Sequence, residues 1–129
     1  MSNKFTVEII TPDKSILNSE ANEVTIPSYE GQMGILKDHI SIISFLKPGI
    51  IKIFSQSGEE NYYVEDGIVE FKNNNLSVLT SSIFNIKDIE KSKISELLTE
   101  AEEHSKNTEI TDQNKYLLDQ KIDVLKTLN

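Results

Sequence analysis

Two histidines, His39 and His104, are the only imidazoles in the chain. Acid–base or nucleophilic chemistry must therefore be built round one of them or round paired carboxylates. His39 follows Asp38, with Glu30 upstream. A histidine flanked by two carboxylates is the raw material of a general base in a cleft. Adjacent residues of an extended segment point to opposite faces, however, so Asp38 cannot orient His39 within one strand. Glu59-Glu60 and Glu102-Glu103 are the paired carboxylates. Such pairs do acid–base work only where a cleft drives their pKa values apart, and both sit in polar surroundings that read as solvated faces. His104 falls in the last turn of a helical stretch, where partial positive charge suits the helix dipole. No Gly-x-Ser-x-Gly elbow, phosphate-binding glycine loop or His-Glu-x-x-His motif occurs. With no cysteine there is no disulfide and no thiolate metal site, and two histidines exclude a histidine-rich one. The residue types predict no catalytic group, no bound metal and no cofactor. They describe an interaction protein, with a cryptic site of His39, Asp38 and Glu30 as the enzyme alternative.

The bulk numbers agree. A chain of 129 residues makes one ordinary domain, or one compact domain with an appendage. The net charge of -8 argues against a nucleic-acid or anionic-membrane binder, which needs a basic face. The chain has no arginine, so bidentate clamps on phosphate or carboxylate are absent. Met1-Ser2-Asn3-Lys4 leads straight into a strand pattern, which predicts no secretory or transit segment. No apolar run approaches the roughly 20 residues that span a bilayer, which predicts a soluble chain.

The segment that carries His39 is Gly31-Gln32-Met33-Gly34-Ile35-Leu36-Lys37-Asp38-His39. Two glycines three apart permit a tight bend, and Pro27 is expected to break the strand before it. The composition fits an ordered recognition loop, or a β-hairpin packed on its own sheet.

Around it, two periods divide the chain. From Phe5 to about Phe84 the apolar signal is that of strands. Phe5, Val7 and Ile9 alternate with Thr6, Glu8 and Ile10. Thr11-Pro12-Asp13-Lys14 is a turn, Ile16-Leu17 resumes, and Asn18-Ser19 is expected to break the chain before a strand from Glu20 to Ile26. Further strands cover Ile40 to Leu46, Ile50 to Phe54, Asn61 to Glu65, Ile68 to Phe71 and Leu76 to Thr80. Turn signals every eight to twelve residues predict a sandwich or barrel. From Asp88 the period is helical. Ile94, Leu97, Leu98, Ala101 and Ser105 form one stripe, with Asp88 as the expected N-cap and Glu90 in the first turn. Thr111 caps a second helix whose apolar arc is Leu117, Leu118, Ile122, Leu125 and Leu128. Lys121 falls inside that arc and must snorkel or meet an acid from elsewhere. Helices of roughly 17 residues are marginal alone and must pack on something.

These residues also carry a resemblance. Glu-Ile-Ile-Thr-Pro-Asp at 8–13, Glu-Gly-Gln-Met-Gly-Ile-Leu at 30–36, Asp38-His39, Leu-Lys-Pro-Gly-Ile at 46–50, Glu-Asp-Gly-Ile-Val-Glu at 65–70 and Leu-Ser-Val-Leu at 76–79 resemble the epsilon subunit of bacterial and plastid F-type ATP synthase. The resemblance implies a fold that is mainly β plus α: an N-terminal antiparallel β-sandwich of about ten strands over residues 1–86, then a C-terminal antiparallel hairpin of two helices over 87–129. It implies a non-catalytic subunit in the central stalk, bound to the gamma subunit and seated on the c-ring of the membrane sector. Proton flow would turn the ring, and the sandwich would couple the ring to gamma. It implies contact with the ring through Glu30, Gln32, Met33 and His39, shaped by Gly31 and Gly34. It places the protein at the cytoplasmic face of the bacterial inner membrane, peripheral and held there only through the complex. It implies that the helical hairpin is a regulatory arm able to reach the beta and alpha subunits. The family's Ile/Leu-Asp-x-x-Arg-Ala nucleotide motif is degenerate here, with Glu90 for aspartate, Lys93 for arginine and Ile94 for alanine. Weak ATP binding and weak inhibition of hydrolysis follow. The alternative is a free-standing β-sandwich interaction module.

Overall fold

In a computed structural model, residues 3–107 and 109–129 are described. Ten strands come first: β1 (Phe5–Ile10), β2 (Ser15–Ala21), β3 (Glu23–Ser28), β4 (Gly31–Leu36), β5 (Ile42–Leu46), β6 (Gly49–Ser55), β7 (Gly58–Val64), β8 (Gly67–Lys72), β9 (Asn75–Leu79) and β10 (Ile83–Asn85). Two helices follow, α1 (Lys91–Ser105) and α2 (Asp112–Leu128). The strands run β10-β7-β6-β3-β5-β8-β9-β1-β2 across one continuous sheet, with β4 paired on β3. β3 is the fold line. Its start, Glu23 to Thr25, pairs with Phe54 to Lys52 of β6, while its end, Ser28, pairs with Leu46 of β5. The sheet thus curls into two layers.

Alternation decides what lies between the layers. Phe5, Val7, Ile9, Val24, Ile26, Ile35, Ile51, Ile53, Val69, Phe71, Leu76 and Val78 are buried in one cluster. Each is flanked in sequence by a side chain on the other face, as the two-residue period of a strand demands. Among the described residues all pairings are antiparallel except one: β1 runs parallel to β9.

Three expectations are corrected. Pro27 does not break a strand; it lies inside β3, facing Gln32 of β4. It sits where β3 has left β6 and not yet reached β5, so its missing N–H leaves no ladder bond unmade. Asn18-Ser19 does not break β2. That strand pairs with β1 alone, and polar side chains are tolerated along such an edge. The break falls at Asn22. A short tenth strand, Ile83–Asn85, pairs with β7 and completes the ten that the resemblance implies. Asp88 does not cap α1. The backbone N–H groups of Asp88 and Ile89 both donate to the carbonyl of Asn85 at 3.0 Å, a turn that delays the helix to Lys91 and leaves Glu90 at the N-cap with no side-chain cap bond. Thr111 does cap α2, its hydroxyl accepting from the backbone N–H of Asn114 at 3.2 Å. The polar break expected between the helices includes Thr108, which lies outside the described residues.

Candidate functional site

The stretch that carries His39 is one arm of a hairpin. Ser28 faces Gly31, so Tyr29 and Glu30 alone form the turn between β3 and β4. Gly31 has φ +117°, a conformation that L side chains rarely adopt, and this fixes why glycine closes the turn. The Ser28 hydroxyl accepts from the Glu30 backbone N–H at 3.0 Å and lies 2.9 Å from that of Ser44, so the turn is anchored from beneath. Glu30 and Gln32 are exposed at this end. Met33 is half-buried and packs on the core. Gly34 is extended, opposite Thr25, and a Cβ there would meet only Glu23 at 3.8 Å. The hairpin does not depend on glycine at that position.

His39 lies at the other end of β4, six strand residues or about 20 Å of extended chain from Glu30. Its backbone N–H donates to Leu36 at 3.1 Å, its Nδ1 is 2.7 Å from the Ile40 carbonyl, and its ring meets Phe71 edge-on at 5.9 Å. Asp38, at φ +67°, turns away from it. The Asp38 carboxylate accepts from Asn74 Nδ2 at 2.9 Å, and its backbone N–H donates to Asn74 Oδ1 at 2.7 Å. His39, Asp38 and Glu30 therefore do not converge, and the enzyme alternative has no site to stand on.

A second surface was not singled out from the sequence. On the outer face of the β5–β8–β9 layer, Phe45 faces Ile68 and Ile68 faces Leu79. They are 58%, 42% and 51% exposed, with Ile43 beside them at 69%. A shallow cleft of about 640 Å³ runs along this row, lined also by Ile10 and Pro12. The signal was present in Ile42-Ile43-Ser44-Phe45-Leu46. Leu46 is buried, and Ile42 packs against the same core. Apolar residues on the alternate positions as well mark a strand with both faces meant for cover.

The opposite layer is already covered. Tyr63 of β7 points outward into a second apolar cluster with Ile94, Leu97 and Leu125 of the helices, joined by Ile50, Phe84 and Leu128. Burial, with the Glu65 carboxylate beside its hydroxyl, pushes the Tyr63 phenol far up. Its neighbour Tyr62 points inward. Burial, and the Glu60 carboxylate to which its hydroxyl donates at 2.9 Å, raise it to about 12. Glu90 sits at the N-cap of α1. Lys93 is committed locally, 3.7 Å from Glu96 and 6.0 Å over the Phe84 ring. Among the described residues no cluster of histidine and carboxylate groups could hold a metal ion, and no helix is long and apolar enough to cross a membrane.

A family model described as "ATP synthase, Delta/Epsilon chain, beta-sandwich domain" matches residues 4–86. The "ATP synthase epsilon chain" of Pelagibacter ubique (strain HTCC1062) is 79% identical over 130 residues, covering 100% of both chains. The chain belongs to the ATP synthase epsilon chain family. The epsilon chain of Dichelobacter nodosus (strain VCS1703A) is more distant, 32% identical over 79% of this chain and 72% of its own length. The fold recurs in a chain of the Euglena gracilis mitochondrial ATP synthase, with a TM-score of 0.76 at 20% identity over 99% of this chain and 81% of that one. As an epsilon chain the protein is a non-catalytic stalk subunit of ATP synthase.

Proposed function

We propose that this epsilon chain is the mechanical coupler between the c-ring and the gamma subunit, with residues 1–86 as the coupling sandwich and 87–129 as an arm. The observation that carries the reading is the uncovered apolar row of Phe45, Ile68 and Leu79. One layer of the sandwich is sealed by its own helices, and the other presents an apolar strip of the kind that marks a protein interface. That strip is the seat for gamma. The Tyr29-Glu30 turn, with Gln32 beside it, is the polar foot toward the ring. Met33 and His39 serve the fold of the hairpin, since one packs on the core and the other lies at the far end. The chain reaches the membrane only through the complex, at the cytoplasmic face of a bacterial inner membrane. It transmits torque through packed surfaces and moves no proton itself.

The test is assembly. An affinity-tagged full-length chain, purified from detergent-solubilised membranes, is expected to elute with gamma and c subunits in one peak. Elution alone would overturn the reading and favour a free-standing module.

The arm carries little electrostatic power. Lys115 and Lys126 on α2 are balanced by Asp112, Asp119 and Asp123, and Lys121 is ion-paired to Glu65 of the sandwich. A face whose exposed charges balance offers a partner little net attraction. Removing residues 88–129 from the assembled complex is expected to change its ATP hydrolysis rate by less than about twofold. A rise of about tenfold on truncation would show that the arm inhibits by other means.

A further inference from the structure

The helices meet the sandwich at two places of different chemistry. One is the apolar cluster centred on Tyr63 and Leu125. The other is an ion pair between Lys121 of α2 and Glu65, which follows β7. Both side chains are about four-fifths buried, with 20% of Lys121 and 19% of Glu65 exposed.

Besides Lys121, Glu65 is held by groups of the sandwich. Its Oε1 accepts from the Ser82 hydroxyl at 2.9 Å, and its Oε2 accepts from the Tyr63 hydroxyl at 3.2 Å. The next residue, Asp66, is fixed in the same way. Its backbone carbonyl accepts from Thr80 Oγ1 at 2.7 Å, and its carboxylate takes the Ser81 hydroxyl at 3.1 Å. The sandwich thus supplies two hydroxyl donors of its own that orient the carboxylate. Lys121 is the opposite case. It lies in the apolar arc of its helix, between Leu118 and Leu125, and a cation there is costly unless paired. A cleft of about 460 Å³, lined by Glu65, His104, Leu117 and Lys121 among others, opens beside the pair. Apolar packing at this end of the hairpin is thus incomplete, and the ion pair is the tie there.

We infer that Glu65 is a preformed socket and Lys121 its plug, a latch that holds the helical hairpin docked on the sandwich in one register. A buried pair of this type adds less to stability than to specificity, because only one placement of α2 brings the ammonium to the carboxylate. Losing one partner leaves the other charged and uncompensated, so the docked state is penalised while the sandwich is untouched. The latch is a property of the isolated chain and does not depend on seating against gamma.

Amide hydrogen exchange on the full-length chain tests this, with the sandwich amides as the internal control for folding. In Lys121→Met and in Glu65→Gln the α1 and α2 amides are expected to exchange about tenfold faster than in the parent, with β1, β8 and β9 unchanged. The charge-reversed double variant Glu65→Lys with Lys121→Glu is expected to restore most of the protection. Single variants that exchange like the parent would overturn the latch and leave the apolar cluster as the whole tie. So would a reversed pair no better protected than the singles.

Discussion

Ile68→Asp is expected to strip the chain from gamma while leaving it folded. Ile68 is the middle of the bare row, facing Phe45 on one side and Leu79 on the other. Central residues of an interface carry most of its energy, and truncating them costs about 2–4 kcal/mol. A carboxylate at that point is worse than a truncation, because it must be desolvated without a cationic partner. At about 1.4 kcal/mol per decade, affinity should fall by roughly 30- to 1,000-fold. In the free chain the side chain points to water, so thermal stability should move by no more than about 0.5 kcal/mol. Titration of purified gamma against parent and variant, with a melting curve for each, separates the two effects. Binding within about threefold of the parent would mean that gamma sits elsewhere.

Phe71→Ala is expected to cost about 3–5 kcal/mol of folding free energy, a large part of the stability of a domain this size. Phe71 is 1% exposed. Its ring is edge-on to Phe5 at 5.5 Å and to His39 at 5.9 Å. It faces Ile42 across β5 and Leu76 across β9. Truncation therefore opens a cavity where three strands and the end of the β4 arm meet. Urea unfolding at equilibrium measures the loss. A cost below about 1.5 kcal/mol would show that the layers collapse onto the gap. The same ring gives His39 its role. The imidazole is a packing partner at the end of the hairpin, which is why neither acid near it in sequence engages it.

The period of the chain carried the architecture. Phe5, Val7 and Ile9 could be assigned to a buried face because their strand has one wet side. Ile94, Leu97 and Ala101 could be assigned likewise at helical spacing. What stayed hidden depends on partners remote in sequence. Pro27 is admissible in β3 only because the sheet folds there. Asn18 and Ser19 are admissible in β2 because, among the described residues, nothing pairs beyond it. Lys121 had either to snorkel or to meet an acid, and only the fold shows that it meets Glu65. For the candidate site, Glu30 and His39 looked like one cluster while a loop and a hairpin were both open for the residues between them. Once those residues are a strand, the two lie at opposite ends, and the apolar row on the other layer becomes the stronger surface.

The parallel pairing of β1 with β9 sets the order in which this molecule can be made. Thr6 faces Asn75, 69 positions later, and Ile10 faces Leu79. The layer that joins β1 to β9 cannot close until Leu79 has been synthesised, so the β1–β2 hairpin must wait with one edge open. Contacts of such long sequence separation make folding slow and leave strand edges open in the interval. The helices follow Leu79 in the chain. Their docking surface, built round Tyr63 and Glu65, belongs to the sandwich, which precedes them in the chain.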